Sequence, residues 1–437
     1  FYQMKVVGII TEYNPFHNGH KHHIHMAKEI TGADYVIAVM SGNFVQRGTP
    51  ALMDKYARTR MALSNGVDLV FELPVCYATG SAEYFALGAV TLLDKLGIVD
   101  YLCFGSECGD IKLLGDIAKL LYNPADSFQE LLYSYIKEGL SYPVARARAV
   151  ATLLDSNQTT SNNHILHAIS EPNNILGIEY MKALYKIHSS IRPVTNKRKK
   201  AHYHEATVQS QDSTKDPHVN DNDTADTAIS SATAIRNTIE DTNNFSNLSL
   251  VKDSVPKNVY NYFCKAYNIT FPITINDFES LIKYKLLSED SKVLGRYVDL
   301  SSDMADRIKN IDIINTNIKD LAQNIKTKNI TLTRVNRALI HALLNIKTDD
   351  FQNFIQDETI YYGRLLGMKK EASHLIRKIK KSERLPIITK ISASKLDLLG
   401  MNMLGQDIFA THLYNQAIYT KYKTSIPNEY KHGLLRH

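Results

Sequence analysis

Two imidazoles one helical turn apart, His17 and His20 in the word His17-x-Gly19-His20, carry the most informative chemistry in the chain. An apolar run of strand length, Val6-Val7-Gly8-Ile9-Ile10, precedes them and breaks at Asn14-Pro15, and the pattern Ile24, Ala27, Ile30 continues beyond as one face of a helix. A strand therefore feeds a helix through a tight turn. Gly19 removes a side chain where a phosphate would approach the backbone, the helix amino end favours negative charge, and the imidazoles can donate to phosphoryl oxygens. These parts can hold a nucleoside triphosphate while something attacks its α-phosphorus. Such a reaction needs positioning and charge stabilisation but no covalent enzyme intermediate. The bland alternative is a set of structural or metal-binding histidines, since His22, His23 and His25 lie nearby. No Cys or carboxylate stands at zinc-site spacing, so no metal ligands are assigned.

The elements that must position this word read as alternating strands and helices. Strands are expected at Val6 to Ile10, Tyr35 to Met40, Leu69 to Leu73 and Tyr101 to Phe104, with helices near 18–31, 54–65 and 81–96 between them. That alternation predicts an α/β fold with a Rossmann-like parallel sheet covered on both faces. Ligands in such sheets gather at the carboxyl ends of the strands. The polar words sit there: His17 to His20, then Ser41-Gly42-Asn43 with Gln46 and Arg47, then Glu72, then Gly105-Ser106-Glu107. Asp54, Arg58, Asp68 and Glu72 are expected to order these loops through internal salt bridges. Further helices are expected near 110–122, 126–139, 143–154 and 173–185, and Ile191 to Lys200 reads as a strand running into the basic Lys197-Arg198-Lys199-Lys200. From about 204 to 227 the text is polar, as in a surface loop. After 256 it is helical, with one strand signal at Leu385 to Thr389. In Thr333 to Ile346 the stripe Val335, Leu339, Ala342, Leu343 leaves Arg334, Arg337 and His341 off it. In Met368 to Arg384, Ala372, Leu375, Ile376 and Ile379 point inward while Lys369, Lys370, Arg377, Lys378, Lys380 and Lys381 project outward.

The 437 residues suffice for two or three domains, and a net charge of +6 with a pI near 8.8 permits a polyanionic partner without requiring one. No apolar run is long enough to span a bilayer, and no signal peptide is visible, so a cytoplasmic protein without membrane contact is expected. Met4 is the expected native start, with Phe1-Tyr2-Gln3 added ahead of it. Cys76, Cys103, Cys108 and Cys264 are too few and too scattered for a disulfide framework and are expected to be reduced.

His17-x-Gly19-His20 resembles the signature of the nucleotidylyl transferase superfamily, and longer words narrow the likeness. Glu12-Tyr13-Asn14-Pro15-Phe16-His17-Asn18-Gly19-His20, Met40-Ser41-Gly42-Asn43-Phe44-Val45-Gln46-Arg47-Gly48, Phe71-Glu72-Leu73-Pro74, Phe104-Gly105-Ser106-Glu107 and Pro172-Asn173-Asn174-Ile175-Leu176-Gly177-Ile178-Glu179-Tyr180 resemble the tRNA(Met) cytidine acetate ligase family. The resemblance implies an enzyme that activates acetate with ATP as acetyl-adenylate and then acetylates N4 of the wobble cytidine of elongator tRNA(Met). It also implies a nucleotidylyl transferase domain at 4–250 and a mainly helical, basic, tRNA-binding domain at 256–437. Ile10, Thr11, Glu12, Tyr13, Asn14, Pro15, Phe16, His17, Asn18, Gly19, His20, Lys21, His22 and His23 are then expected along the nucleotide. The likeness carries ATP contacts onto Gly105, Asn173, Asn174 and Arg198. Ser230-Ser231-Ala232-Thr233-Ala234-Ile235-Arg236 resembles a late element of these enzymes in which hydroxyls and a guanidinium, here Ser231, Thr233 and Arg236, approach the triphosphate.

Strand-end position and polar density, not the resemblance, suggest acetate at Ser41, Gly42, Asn43, Gln46 and Arg47. Arg334, Arg337, Lys369, Lys370, Arg377, Lys378, Lys380 and Lys381 are the expected tRNA contacts, with a merely solvated basic face as the competing account. Mg²⁺ is expected with the ATP phosphates, although no carboxylate motif announces it, and no protein partner is inferred. A small-molecule adenylyltransferase and a non-catalytic RNA-binding protein are the alternative functions.

Overall fold

The computed structural model describes residues 4–155, 162–198, 231–240 and 245–437. Ser230, Lys199, Lys200 and the polar stretch 204–227 lie outside the described residues. The strands of the main sheet are β1 (Val6–Thr11), β2 (Tyr35–Ser41), β3 (Leu69–Leu73), β4 (Tyr101–Ser106), β5 (Arg192–Lys197), β6 (Gly363–Met368), β7 (Ile387–Ile388) and β8 (Leu435–Arg436). Their order is β8-β6-β3-β2-β1-β4-β5, with β7 beside β6. All pairings are parallel except β3 with β6, which is antiparallel. The order turns back at β1, flanked by β2 and β4, which opens a crevice at the carboxyl ends of β1 and β4.

The helices that matter here are α1 (Asn18–Thr31), α2 (Lys55–Ser64), α3 (Ala82–Lys95), α4 (Ile111–Tyr122), α5 (Pro172–Lys186), α6 (Ala232–Glu240), α7 (Glu279–Ser288), α8 (Leu332–Leu343), α9 (Ser373–Ser382) and α10 (Leu398–Tyr422). Side chains alternate across each strand, so the sheet has two cores. Val7, Ile9, Ala38 and Val70 pack with Ile24 and Ala27 of α1, Ala57 and Met61 of α2 and Ile235 of α6. Ile37, Val39 and Phe71 belong to the other core with Phe85 and Ala89 of α3, Ile117 of α4, Ile178 of α5, Leu339 of α8 and Tyr414 of α10.

Two expectations are corrected. Ile30 is 45% exposed, and the buried side of α1 runs through Ile24, Ala27 and Thr31 instead. The sheet also does not stop near residue 250: Gly363–Met368, read from sequence as helical territory, is a fully buried strand against β3. The strand signal at Leu385 to Thr389 does correspond to a strand, the short β7.

Candidate active site

After β1 the chain turns through Tyr13, at φ 48°, and a cis Asn14–Pro15 bond into α1. His17 is the N-cap: its Nδ1 accepts from the Gly19 amide at 3.0 Å, while Nδ1 of His20 accepts from the His17 amide at 3.2 Å. The helix thus ties down two of its free amides with the same two rings that the sequence singled out. The rings stack with centroids 3.7 Å apart, and Tyr13 meets His20 edge-on at 4.9 Å. Burial, then the positive charges of Arg198 and Arg236, lowers the His17 pKa to about 3. Burial, then His17 itself, holds His20 well below its ordinary value. Both rings are therefore neutral at pH 7. Because each Nδ1 accepts a hydrogen bond, the single ring proton of each lies on Nε2. The pair presents two Nε2–H donors, neutral and fixed in direction.

Guanidinium groups flank the pair. Arg236 of α6 donates from Nη1 to the Asn14 carbonyl at 2.7 Å and from Nη2 to Thr233 Oγ1 at 3.0 Å. Ser231 Oγ accepts from the Ala234 amide at 3.1 Å and so caps that helix. Arg198, just past β5, donates to Asn173 Oδ1 at 2.9 Å. Its side chain runs along Gly105, where a Cβ would come within 3.1 Å of Arg198 Cγ. Glu107 organises this corner: its carboxylate accepts from Asn173 Nδ2 at 2.5 Å and from the Asn174 amide at 2.9 Å, while its own amide donates to Asn174 Oδ1 at 2.9 Å. The acid sits at the amino end of α5, where the helix dipole favours it. Asn174 Nδ2 is buried with no hydrogen-bond partner among the described residues. The first-strand turn, Gly105, Asn173, Asn174, Arg198 and Arg236 thus converge at the crevice, although they span more than half of the sequence.

The second loop is bound to the first. Glu12 Oε1 accepts from the Gln46 amide at 2.8 Å. Fully buried Arg58 donates to the carbonyls of Glu12 at 2.7 Å and Ser41 at 3.0 Å, and to that of Gly42. Arg58 therefore orders these loops through carbonyl oxygens, not through the salt bridge expected of it. Asp54 caps α2, accepting from the Tyr56 and Ala57 amides at 2.9 Å each. Asp68 pairs with Lys369 at 3.4 Å, and Glu72 with buried Lys55 at 2.8 Å. Asn43 Oδ1 accepts from the Lys55 amide at 2.7 Å, which fixes this side chain against the start of α2. The Ser41 hydroxyl is buried without a partner among the described residues, and Arg47 is exposed within electrostatic reach of Arg236.

The family described as HIGH nucleotidyl transferase matches residues 4–429. The chain is 40% identical over 436 residues to a tRNA(Met) cytidine acetate ligase of Halothermothrix orenii, covering 94% of each protein. It is 41% identical over 414 residues to one of Clostridium perfringens, covering 94% of this chain and 95% of that protein. The chain belongs to the tRNA(Met) cytidine acetate ligase family. The crystal structure of Thermotoga maritima TmcAL bound with alpha-thio ATP is similar with a TM-score of 0.86 and 30% identity, covering 99% of this chain and 100% of that one.

In this member of the ligase family the remaining sequence-predicted residues are scattered. Lys21 is exposed, and His23 is held by Asn196 Oδ1 at 2.7 Å. Asn18 Nδ2 donates to the Asp253 carbonyl at 2.8 Å. Arg337 is not on an open basic face: it is buried and pairs with Asp299 at 2.7 Å. His341, also expected off the apolar stripe, is fully buried between Val298 and Thr79. Arg334 reaches the same Asp299 at 3.9 Å. Lys370, Arg377, Lys378, Lys380 and Lys381 are exposed as expected. Helix α9, which carries all of these but Lys370, packs where the parallel strands begin: Lys378 touches Met4 Sδ at 3.7 Å and His374 meets the Tyr35 ring at 5.0 Å. The crevice lies at the other end, a strand length of about 20 Å away. Sequence reasoning gave no role to Asn196 and did not single out Glu107 within its word, because their partners lie far off in sequence.

Proposed function

We propose that this chain is an ATP-dependent tRNA(Met) cytidine acetate ligase that forms acetyl-adenylate and passes the acetyl group to N4 of the wobble cytidine. The observation carrying the reading is the pair of neutral Nε2–H donors at the start of α1, opposite Arg198 and Arg236. An acetate oxygen attacks the α-phosphorus, the bond to the bridging oxygen breaks and pyrophosphate leaves. His17 and His20 donate to phosphoryl oxygens as charge builds there, and Arg198 and Arg236 balance the triphosphate. The cytosine amine then attacks the acetyl carbonyl, loses a proton and releases AMP. The nucleotide lies along Ile10–His23, with the base beside Gly105 and Asn174 and acetate at the Ser41–Arg47 loop. Exposed Arg47 supplies a guanidinium there that can meet a carboxylate.

Mg²⁺ would travel with the triphosphate. Among the described residues no cluster of three His, Cys, Asp or Glu is placed to hold a metal, so no step is assigned to a protein-bound ion. Among them, too, no helix is long and apolar enough to cross a membrane.

The test is incubation with ATP, labelled acetate and total tRNA, followed by nucleoside analysis for N4-acetylcytidine. Acetate-dependent exchange of pyrophosphate into ATP without RNA isolates the first step. Exchange supported only by a phosphorylated small molecule would replace this reading with a cofactor adenylyltransferase. Arg47→Ala is expected to raise the KM for acetate about tenfold or more, the loss of one charged hydrogen bond; an unchanged value would move acetate elsewhere.

A further inference from the structure

A cleft of about 580 Å³ opens between α7, the short helix Ser291–Leu294, the turn after α8 and the outer face of α10. Two of the residues lining it hold buried acceptors that have no donor among the described residues. Gln406 is only 9% exposed, and its Oε1 is buried without a hydrogen-bond partner. Glu289 uses Oε1 to accept from the Tyr297 hydroxyl at 3.0 Å and to pair with Lys285 at 2.6 Å, yet its buried Oε2 has no partner. Buried polar atoms are nearly always paired, so two unpaired acceptors in one cleft call for a ligand that brings N–H groups.

The other lining residues restrict that ligand further. Phe409 and Val293, each 37% exposed, offer apolar surface to a flat ring. Arg296 and Lys347 also line the cleft; Arg296 meets exposed Asp349 at 3.7 Å, and Lys347 has no ion pair among the described residues. Gly405 keeps the floor open: it sits inside α10, where glycine is a poor helix former, and a Cβ there would meet nothing within 4 Å. Asp350 is the second carboxylate of the lining, so Lys285, Arg296 and Lys347 stand against Glu289 and Asp350, and the surplus of cations favours a phosphate over a cationic side chain from a partner protein. A nucleotide fits both demands: an exocyclic amine for Gln406 and Glu289, a ring against Phe409, and a phosphate for the rim cations.

The cleft lies toward the end of the sheet that bears the imidazoles. Asp407, next to Gln406, accepts from the amide of Val75 just past β3 at 2.7 Å, and Tyr414 of the same helix donates to the Ala51 carbonyl at 2.7 Å. We propose that this cleft holds an amino-bearing base of the RNA substrate, distinct from the base that is acetylated. This rests on the tRNA ligase reading and gives it a recognition subsite on α10.

Gly405→Phe fills the cleft, Gln406→Met removes an acceptor at nearly constant size, and Gly405→Ala is the control. Each is assayed for acetate-dependent pyrophosphate exchange without RNA and for the KM of tRNA in acetyl transfer. Exchange is expected to stay within about twofold of the parent for all three, while Gly405→Phe raises the KM of tRNA about tenfold or more, the worth of one stacked base, and Gln406→Met raises it less. A KM unchanged in both Gly405→Phe and Gln406→Met overturns the proposal. Should Gly405→Phe lose exchange through misfolding, Gln406→Met decides alone. Failure of the underlying reading looks different: the parent itself would then show no acetate-dependent exchange or would leave tRNA unacetylated.

Discussion

In the proposed reaction His17 and His20 do two jobs with different atoms. Each Nδ1 closes the amino end of α1, and each Nε2 carries the proton that this reading offers to phosphate. Replacement therefore mixes a folding cost with a catalytic one unless the cap is preserved. His17→Asn keeps a short acceptor at the cap position and loses the directed Nε2–H donor. It is expected to melt within a few degrees of the parent while acetate-dependent exchange falls about 10² to 10³-fold, as when an oxyanion donor is removed. An exchange rate within threefold of the parent would remove His17 from the chemistry. The lowered pKa values also set a pH dependence. In the unfolded chain these rings protonate near 6.5, whereas folded His17 protonates only near 3. Between those values the unfolded state binds more protons, so stability falls as pH drops through that window, by up to about 1.4 kcal/mol per unit for this one group. Adenylate formation between pH 7 and 8 should show no limb from either ring, since both are already neutral there. A rate that rises on acidification toward 6.5 would mean that a protonated imidazole does the work.

The elements are locked together by charges that the crevice does not use. Lys55 of α2 is fully buried and reaches Glu72 of β3 at 2.8 Å, Glu429 near the carboxyl end at 2.6 Å and Thr411 of α10 at 3.1 Å. Burial works against its ammonium, but Glu429 and Glu72 outweigh that and raise its pKa. Burial, then Glu72, pushes Asp407 up to about 8, so it is mostly protonated at pH 7. Two unlike outcomes follow. Lys55→Met leaves two buried carboxylates facing each other and should cost about 3 to 5 kcal/mol in denaturant unfolding. Asp407→Asn keeps an acceptor for the Val75 amide and removes an acid that the fold must keep protonated; it should cost under about 1 kcal/mol and flatten the loss of stability between pH 4 and 8. Equal destabilisation by both would mean that Asp407 is ionised and needed as a charge.

The same contacts explain what could be read in advance. The β1–turn–α1 unit was legible because strand, turn and caps are neighbours in sequence. The strand Gly363–Met368 was not, because a short apolar run has no periodicity that tells a buried strand from a helix segment, and its partner β3 lies some 300 residues earlier. Arg337 and His341 looked solvent-facing because a single apolar stripe assumes a single covered side. In fact α8 is also covered by Asp299 and by Gly48, where a Cβ would fall within 2.3 Å of the Arg337 amide.

At the scale of the whole molecule, the sheet is closed by strands from its far end: β6 covers the β3 edge, and β8 pairs with β6. Residues 4–255 expressed alone would bare β3 as an edge strand and deprive Lys55 of Glu429. Such a fragment is expected to aggregate or to show no cooperative melt; a soluble monomer that melts cooperatively and binds ATP would make the first 250 residues an independent unit. The position of α9 sharpens a second expectation. Its cations stand at the end of the sheet opposite the imidazoles, so they cannot touch the reacting groups, yet a folded RNA is long enough to span both ends of the sheet. Reversing Lys378 and Lys381 together to Glu should weaken tRNA binding about tenfold or more at low salt and reduce the salt dependence of the remaining affinity. Acetate-dependent exchange should not change. Unaltered tRNA affinity in the double variant would reduce α9 to a solvated face and leave RNA recognition to the surface around α10, where the cleft at Gln406 opens.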